Sequence, residues 1–244
     1  MITSTSSSQV KHVVNLQKKA KLRKEEKQFV VEGVKMVSEA PADRLVKVYV
    51  SETFKADNEE FLERMNYDSI GKDVLEIVTD NVFMRMADTQ TPQGIMAVVR
   101  MSDTDLEGIL SDKRNPLLLI IENLQDPGNL GTIVRMAEGA GVTGIIMSSN
   151  TVDIYNPKTI RSTMGSLYRV PVIYVDDICE AADVCKSKGV TVYAAHLNGT
   201  DNYNKKDYTN PTAFMIGNEG NGLTDKLAAV SYTHLRAHET RHDL

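Results

Sequence analysis

Two clusters in this 244-residue chain combine residue types able to do chemistry. The first, Asn123-x-x-Asp126-Pro127-x-Asn129-x-Gly131-x-Ile133-x-Arg135-x-Ala137, gathers amide side chains, a carboxylate and a guanidinium into one short stretch. From Asn129 the apolar positions Leu130, Ile133, Val134 and Ala137 recur at helical spacing, which places Asn129 near a helix N-terminus. An open helix end offers unpaired N–H groups and partial positive charge, so it suits an anionic ligand. Arg135 either shares a face with Asn129, or points into the same cleft while Asn129 reaches over the helix mouth. The second cluster is Phe214-Met215-Ile216-Gly217-Asn218-Glu219-Gly220-Asn221-Gly222-Leu223. Its glycines permit close backbone approach and positive φ. It contains neither GK[ST] nor GxGxxG, so by itself it reads equally as a plain turn or as a phosphate-cradling loop.

Both clusters need a scaffold, and the flanking pattern supplies one. Leu117 to Ile121 is a continuous apolar run bounded by Asn115-Pro116 and a polar turn, as in a strand buried on both faces of a parallel sheet. Strands are expected at 117–121, 143–147, 171–175, 190–195 and 213–216, with helices at 129–140, 156–163, 176–188 and 223–229. This alternation predicts a mostly parallel, doubly wound sheet with ligands at the carboxyl ends of its strands. Before it, strands near 29–33, 45–50, 74–78 and 93–99 alternate with helices at 34–40, 58–66 and 82–87, a separate α/β domain of ordinary size. The organisation is therefore a domain at 1–100, a polar linker at 101–114 and a second domain at 115–231.

Composition is that of a water-soluble globular protein, 41% hydrophobic and 25% charged, with no apolar run long enough for a membrane span. The N-terminal MITSTSSSQ lacks a signal-peptide core, which makes the cytoplasm the default location. Cys179 and Cys185 have no CxxC spacing or neighbouring histidine and read as core or surface thiols. A net charge of −5 argues against a surface coated in positive potential, yet residues 1–27 hold seven basic side chains against two acidic ones. Lys18, Lys19, Lys21, Arg23 and Lys24 in that stretch, with Arg161 further on, are the candidate contacts to RNA phosphate.

The two clusters, at their spacing, resemble the first and second signatures of the SpoU (TrmH-type) RNA 2′-O-ribose methyltransferases, of the SPOUT class. The resemblance extends from about residue 9 to residue 231 and implies a trefoil-knotted, Rossmann-like catalytic domain. The FVVEG segment at 29–33 and TPQGIMAVV at 91–99 resemble the small L30e-like substrate-binding domain that precedes it in many such enzymes. The resemblance implies S-adenosylmethionine as cofactor, RNA as partner, ribosomal RNA in preference to transfer RNA, and a homodimer. It assigns Asn129, Arg135 and Glu219 to catalysis, and Leu197, Asn198, Gly199, Gly217, Asn218 and Gly220 to the methyl donor. A guanidinium resists deprotonation. Arg135 is therefore expected to clamp a phosphate, with Glu219 orienting it, Asn129 fixing the loop, and the hydroxyl proton passing to phosphate or water.

The C-terminal end departs from the family. A third signature, a Ser-Leu-Asn run followed by a small-residue helix, is absent, and after Ser231 the sequence runs YTHLRAHETRHDL. Residues 232–244 are expected to be a non-native tail, which leaves a donor pocket short of one loop. His238-Glu239-Thr240-Arg241-His242 matches HExxH formally, but that pattern needs a buried helix and a distant third ligand, so no metal site is expected. The alternative to a ribosomal RNA methyltransferase is a transfer RNA methyltransferase, or a non-catalytic RNA-binding protein of the same fold.

Overall fold

The computed structural model of the chain describes residues 1–67, 71, 73–111, 115–196, 199 and 201–236. They form two compact units, residues 1–102 with 153–168, and residues 103–152 with 169–244.

In the first unit, α1 (Ser8–Lys18) and α2 (Ala20–Glu26) precede β1 (Gln28–Glu32). Then come α3 (Val34–Ser38), β2 (Leu45–Ser51), α4 (Glu52–Asp57), α5 (Glu59–Met65), β3 (Leu75–Val78), α6 (Asp80–Met86) and β4 (Ile95–Arg100). The sheet runs β1-β4-β2-β3, with β2 and β3 parallel and the other pairs antiparallel. Alternation along β1 loads both faces. Phe29 and Val31 join Met36, Val37 and Ile95 in one core, while Val30 joins Val10, Val13, Leu16 and Val82 in the other.

The basic N-terminal stretch is thus helical, with an apolar face anchored in a core. Lys18, Lys19, Lys21 and Lys24 are exposed, as a phosphate-binding face requires, and Lys21 lies 3.7 Å from Glu25. Arg23 does not belong with them. It is 3% exposed, and its Nε and Nη2 donate to Asp153 Oδ2 at 3.0 and 2.6 Å. Its Nη1 donates to the Leu16 and Gln17 carbonyls at 2.6 and 2.8 Å. A guanidinium whose three nitrogens are all engaged inside the unit cannot also meet RNA, which corrects the sequence-based assignment. Arg23→Lys, which loses the planar fork, is expected to lower stability by about 2 kcal/mol in urea unfolding.

Residues 153–168 complete this core: Tyr155 stacks 4.6 Å from Phe29, Ile160 and Leu167 are buried in it, and the Tyr168 hydroxyl donates to the Met36 carbonyl at 2.9 Å. Arg161, expected at RNA, pairs with Asp88 here and is 42% exposed.

In the second unit, α7 (Leu106–Leu110) leads to β5 (Leu117–Ile121), α8 (Pro127–Gly139) and β6 (Gly144–Ser148). After α9 (Pro157–Thr163), which lies in the segment belonging to the first unit, come β7 (Val172–Val175), α10 (Ile178–Ser187), β8 (Thr191–His196), β9 (Thr212–Ile216), α11 (Asp225–Ala228) and β10 (Thr233–Arg236). The order is β10-β8-β9-β5-β6-β7, and these pairings are all parallel, as the apolar strand pattern predicts. The stretch read as a polar linker carries α7, whose Ile109 is 2% exposed within the core of this unit. The stretch read as a tail begins with an edge strand: Thr233–Arg236 pairs with Tyr193–His196, and Leu235 is buried. The HExxH match at 238–242 lies outside the described residues. No described helix is long and apolar enough to cross a membrane.

Candidate active site

Register brings the two clusters together. Adjacent strands β5 and β9 end with Ile121 paired to Ile216, so the loops that follow them emerge side by side. After β5 the chain turns through Asn123, whose φ of 56° lies in the left-handed region that asparagine tolerates better than most residues. Ser148 in β6 fixes that turn, its hydroxyl accepting from the Asn123 N–H at 2.9 Å and donating to Asn123 Oδ1 at 3.1 Å. Asp126 then caps α8, its Oδ1 accepting from the Asn129 N–H at 2.8 Å, and Pro127 takes the first turn, where no N–H is needed.

After β9, the backbone N–H and carbonyl of Asn218 pair with those of Gly222, both at 2.9 Å, and close a tight turn. Asn218 Oδ1 accepts from the Gly220 and Asn221 N–H groups at 3.0 and 3.1 Å, and its Nδ2 donates to the Asn123 carbonyl at 2.8 Å. Asn218, expected to touch the donor, therefore spends its side chain joining the two loops. Glu219 completes the junction. Its Oε1 accepts from the Asp126 N–H at 2.9 Å and from Asn129 Nδ2 at 3.3 Å, and its Oε2 from the Gln125 N–H at 3.1 Å. The anion at the mouth of α8 is thus a carboxylate of the chain itself.

Desolvation raises the Glu219 pKa, and hydrogen bonds from the N–H groups of Asp126, Glu219 and Gln125 and from the Asn129 amide outweigh it, so the net shift is downward. A folded-state value below the unfolded one contributes stability above the ordinary value of 4.5 and loses it as pH falls through the lower folded value. In acid, the Gln125 and Asp126 amides are expected to lose protection from hydrogen exchange. Glu219→Gln should remove that step while leaving other acid transitions in place.

The junction forms one wall of a cleft of about 440 Å³, lined by the turn 217–222 and by Leu124, Asn129, Ile133, His196 and Leu223 among others. Gly217, Asn218 and Gly220, expected at the methyl donor, are among its lining residues. Gly199 is buried and does not line it; its N–H donates to the His196 carbonyl at 3.0 Å. Leu197 and Asn198 lie outside the described residues. Arg135 is exposed and is not among the lining residues, and its guanidinium makes no hydrogen bond or ion pair with the other described residues. Six residues on a helix amount to about 600°, which turns Arg135 about 120° away from Asn129. The bond from Glu219 to Arg135 expected from sequence is therefore not formed, and Glu219 holds Asn129 instead. His196, at the end of β8, lines the cleft as the rule that ligands sit at strand carboxyl ends predicts, whereas Ile133 and Leu223, members of the two clusters, were not expected as lining residues.

A volume of this size, lined by Leu124, Ile133, Ile216 and Leu223 together with the polar turn 217–222, suits a small molecule. A model of the MRM3-like substrate binding domain matches residues 7–97. The chain is 33% identical over 153 residues to the 23S rRNA (guanosine(2553)-2'-O)-methyltransferase RlmP of Bacillus subtilis, covering 60% of this chain and 56% of that protein. It is 31% identical over 232 residues to an uncharacterized tRNA/rRNA methyltransferase of Synechocystis, covering 91% of this chain and 80% of that one. Its fold superposes on an AdoMet-bound rRNA methyltransferase from Sinorhizobium meliloti with a TM-score of 0.83 at 26% identity, across 100% of this chain and 90% of the other. The model of the SpoU rRNA Methylase family spans residues 116–237, half of the chain, and takes in both clusters that meet at this cleft; the chain belongs to that family.

Proposed function

We propose that the chain transfers a methyl group from S-adenosylmethionine to a ribose 2′-hydroxyl in structured RNA, with 23S ribosomal RNA as the first candidate and transfer RNA as the second. The observation that carries this reading is the junction of Asn129 with Glu219 at the rim of the cleft. The Bacillus relative, named for such a reaction, supports the choice of RNA.

The donor, when bound, supplies a sulfonium-activated methyl group. The 217–222 turn and His196 would hold it, with Leu124, Ile133 and Leu223 as its apolar walls. Asn129 and Glu219 keep the rim in one geometry, so most of the rate comes from positioning. Arg135 clamps a phosphate of the RNA and so positions the ribose, while water or phosphate takes the proton. Residues 1–100 present the RNA, with Lys18, Lys19, Lys21 and Lys24 on phosphate. The active form is a cytoplasmic homodimer.

Calorimetry with S-adenosylmethionine, followed by radiolabelled methyl transfer to 23S ribosomal RNA and to transfer RNA, tests this reading. Donor binding with 2′-O-methylated product upholds it. RNA binding without donor uptake favours the second reading, a non-catalytic RNA-binding protein of the same fold.

A further inference from the structure

Glu122 directly follows β5, is 6% exposed, and is not among the residues lining the cleft. Its backbone N–H donates to the Ile216 carbonyl at 2.9 Å, at the point where the glycine turn begins. Its side chain reaches the other end of that turn: Oε2 accepts from the Thr224 N–H and Oε1 from the Thr224 hydroxyl, both at 2.8 Å. Thr224 caps α11, its hydroxyl also accepting from the Leu227 N–H at 3.3 Å. One residue therefore grips segment 217–223 at both ends. A buried carboxyl group is costly unless its oxygens are bonded, and Thr224 bonds both.

We propose that Glu122 is a positioning residue for methyl transfer. By fixing the span from Ile216 to Thr224, it presses Asn218 and Glu219 against the mouth of α8. This rests on the reading of the cleft as the S-adenosylmethionine site.

Glu122→Leu keeps a side chain of similar bulk and removes both acceptors, which leaves the Thr224 N–H and hydroxyl without the carboxylate that holds them. In titrations with S-adenosylmethionine, the wild-type protein binds, and the Leu variant is expected to bind about tenfold more weakly. Its kcat at saturating donor should fall by less than about threefold, since the group acts on the donor loop and not on the reacting atoms. In the donor-free protein, exchange of the Gly220 and Asn221 amides should accelerate by about the same tenfold factor. Thr224→Ser keeps both donors to Glu122 and should behave as the wild-type protein. A lowered melting temperature with donor affinity and loop exchange unchanged would falsify the proposal and leave Glu122 as a staple of the fold. If the wild-type protein takes up no donor, the reading of the cleft fails by itself, and loop exchange then decides Glu122: acceleration upholds positioning and no change overturns it.

Discussion

Arg135→Ala is expected to lower methyl transfer about 10²-fold, the scale of loss when a clamp that positions the substrate is removed. The donor dissociation constant should stay within about threefold, because a side chain outside the cleft takes no part in uniform binding. The structure sharpens this prediction. The guanidinium is exposed and makes no bond to the other described residues, so it is available to a phosphate arriving from outside. It is also turned away from Glu219, whose oxygens are occupied by Gln125, Asp126 and Asn129. An Arg135→Lys variant keeps the charge and loses the fork that matches phosphate, and should retain an intermediate rate. Single-turnover kinetics with saturating donor separates the rate from the binding. Full activity in Arg135→Ala would remove the residue from the mechanism and leave positioning by Asn129 and Glu219 as the sole contribution of these signatures.

Much of this site was legible because its determinants are local. Asp126-Pro127 announces a helix start, the run Leu117–Ile121 announces a buried strand, and two such strands paired in parallel must release their loops at one end of the sheet. What escaped the sequence was where each side chain spends its hydrogen bonds. Asn218 lines the cleft and also has a second role that no local pattern reports: its Oδ1 takes the Gly220 and Asn221 N–H groups that a tight turn leaves in need of an acceptor, and its Nδ2 joins the two loops at the Asn123 carbonyl. Arg23 sat within a run of lysines and belonged to a different structure. Asp153, distant in sequence, arrives beside it with a segment that packs in the first unit, and no local pattern reports that return. The edge strand at Thr233–Arg236 was hidden for the opposite reason. Four residues at a sheet edge need only backbone pairing, so a loss of apolar periodicity after Ser231 does not forbid it.

Gly217→Ala should abolish detectable donor binding at concentrations that saturate the wild-type protein. A Cβ at residue 217 would stand 2.0 Å from the Gly222 carbonyl carbon and 2.2 Å from the Leu223 nitrogen. Both are backbone atoms, so no side-chain rotation relieves the overlap, and the whole turn must open. Opening it separates Asn218 from Gly222, releases the Gly220 and Asn221 amides, and draws Glu219 away from Gln125 and Asp126. Overpacking of this kind costs about 3 kcal/mol, equivalent to a loss of roughly 100-fold or more in donor affinity if the wild-type geometry has to be rebuilt on binding. Gly139→Ala, at the far end of α8 and outside the cleft, is the informative control, since its added Cβ would meet nothing within 4 Å. Calorimetry on both variants checks the prediction, with far-ultraviolet circular dichroism to show that the parallel sheet persists. Unchanged affinity in Gly217→Ala would mean that the donor does not use this turn, and the cleft would then need another occupant.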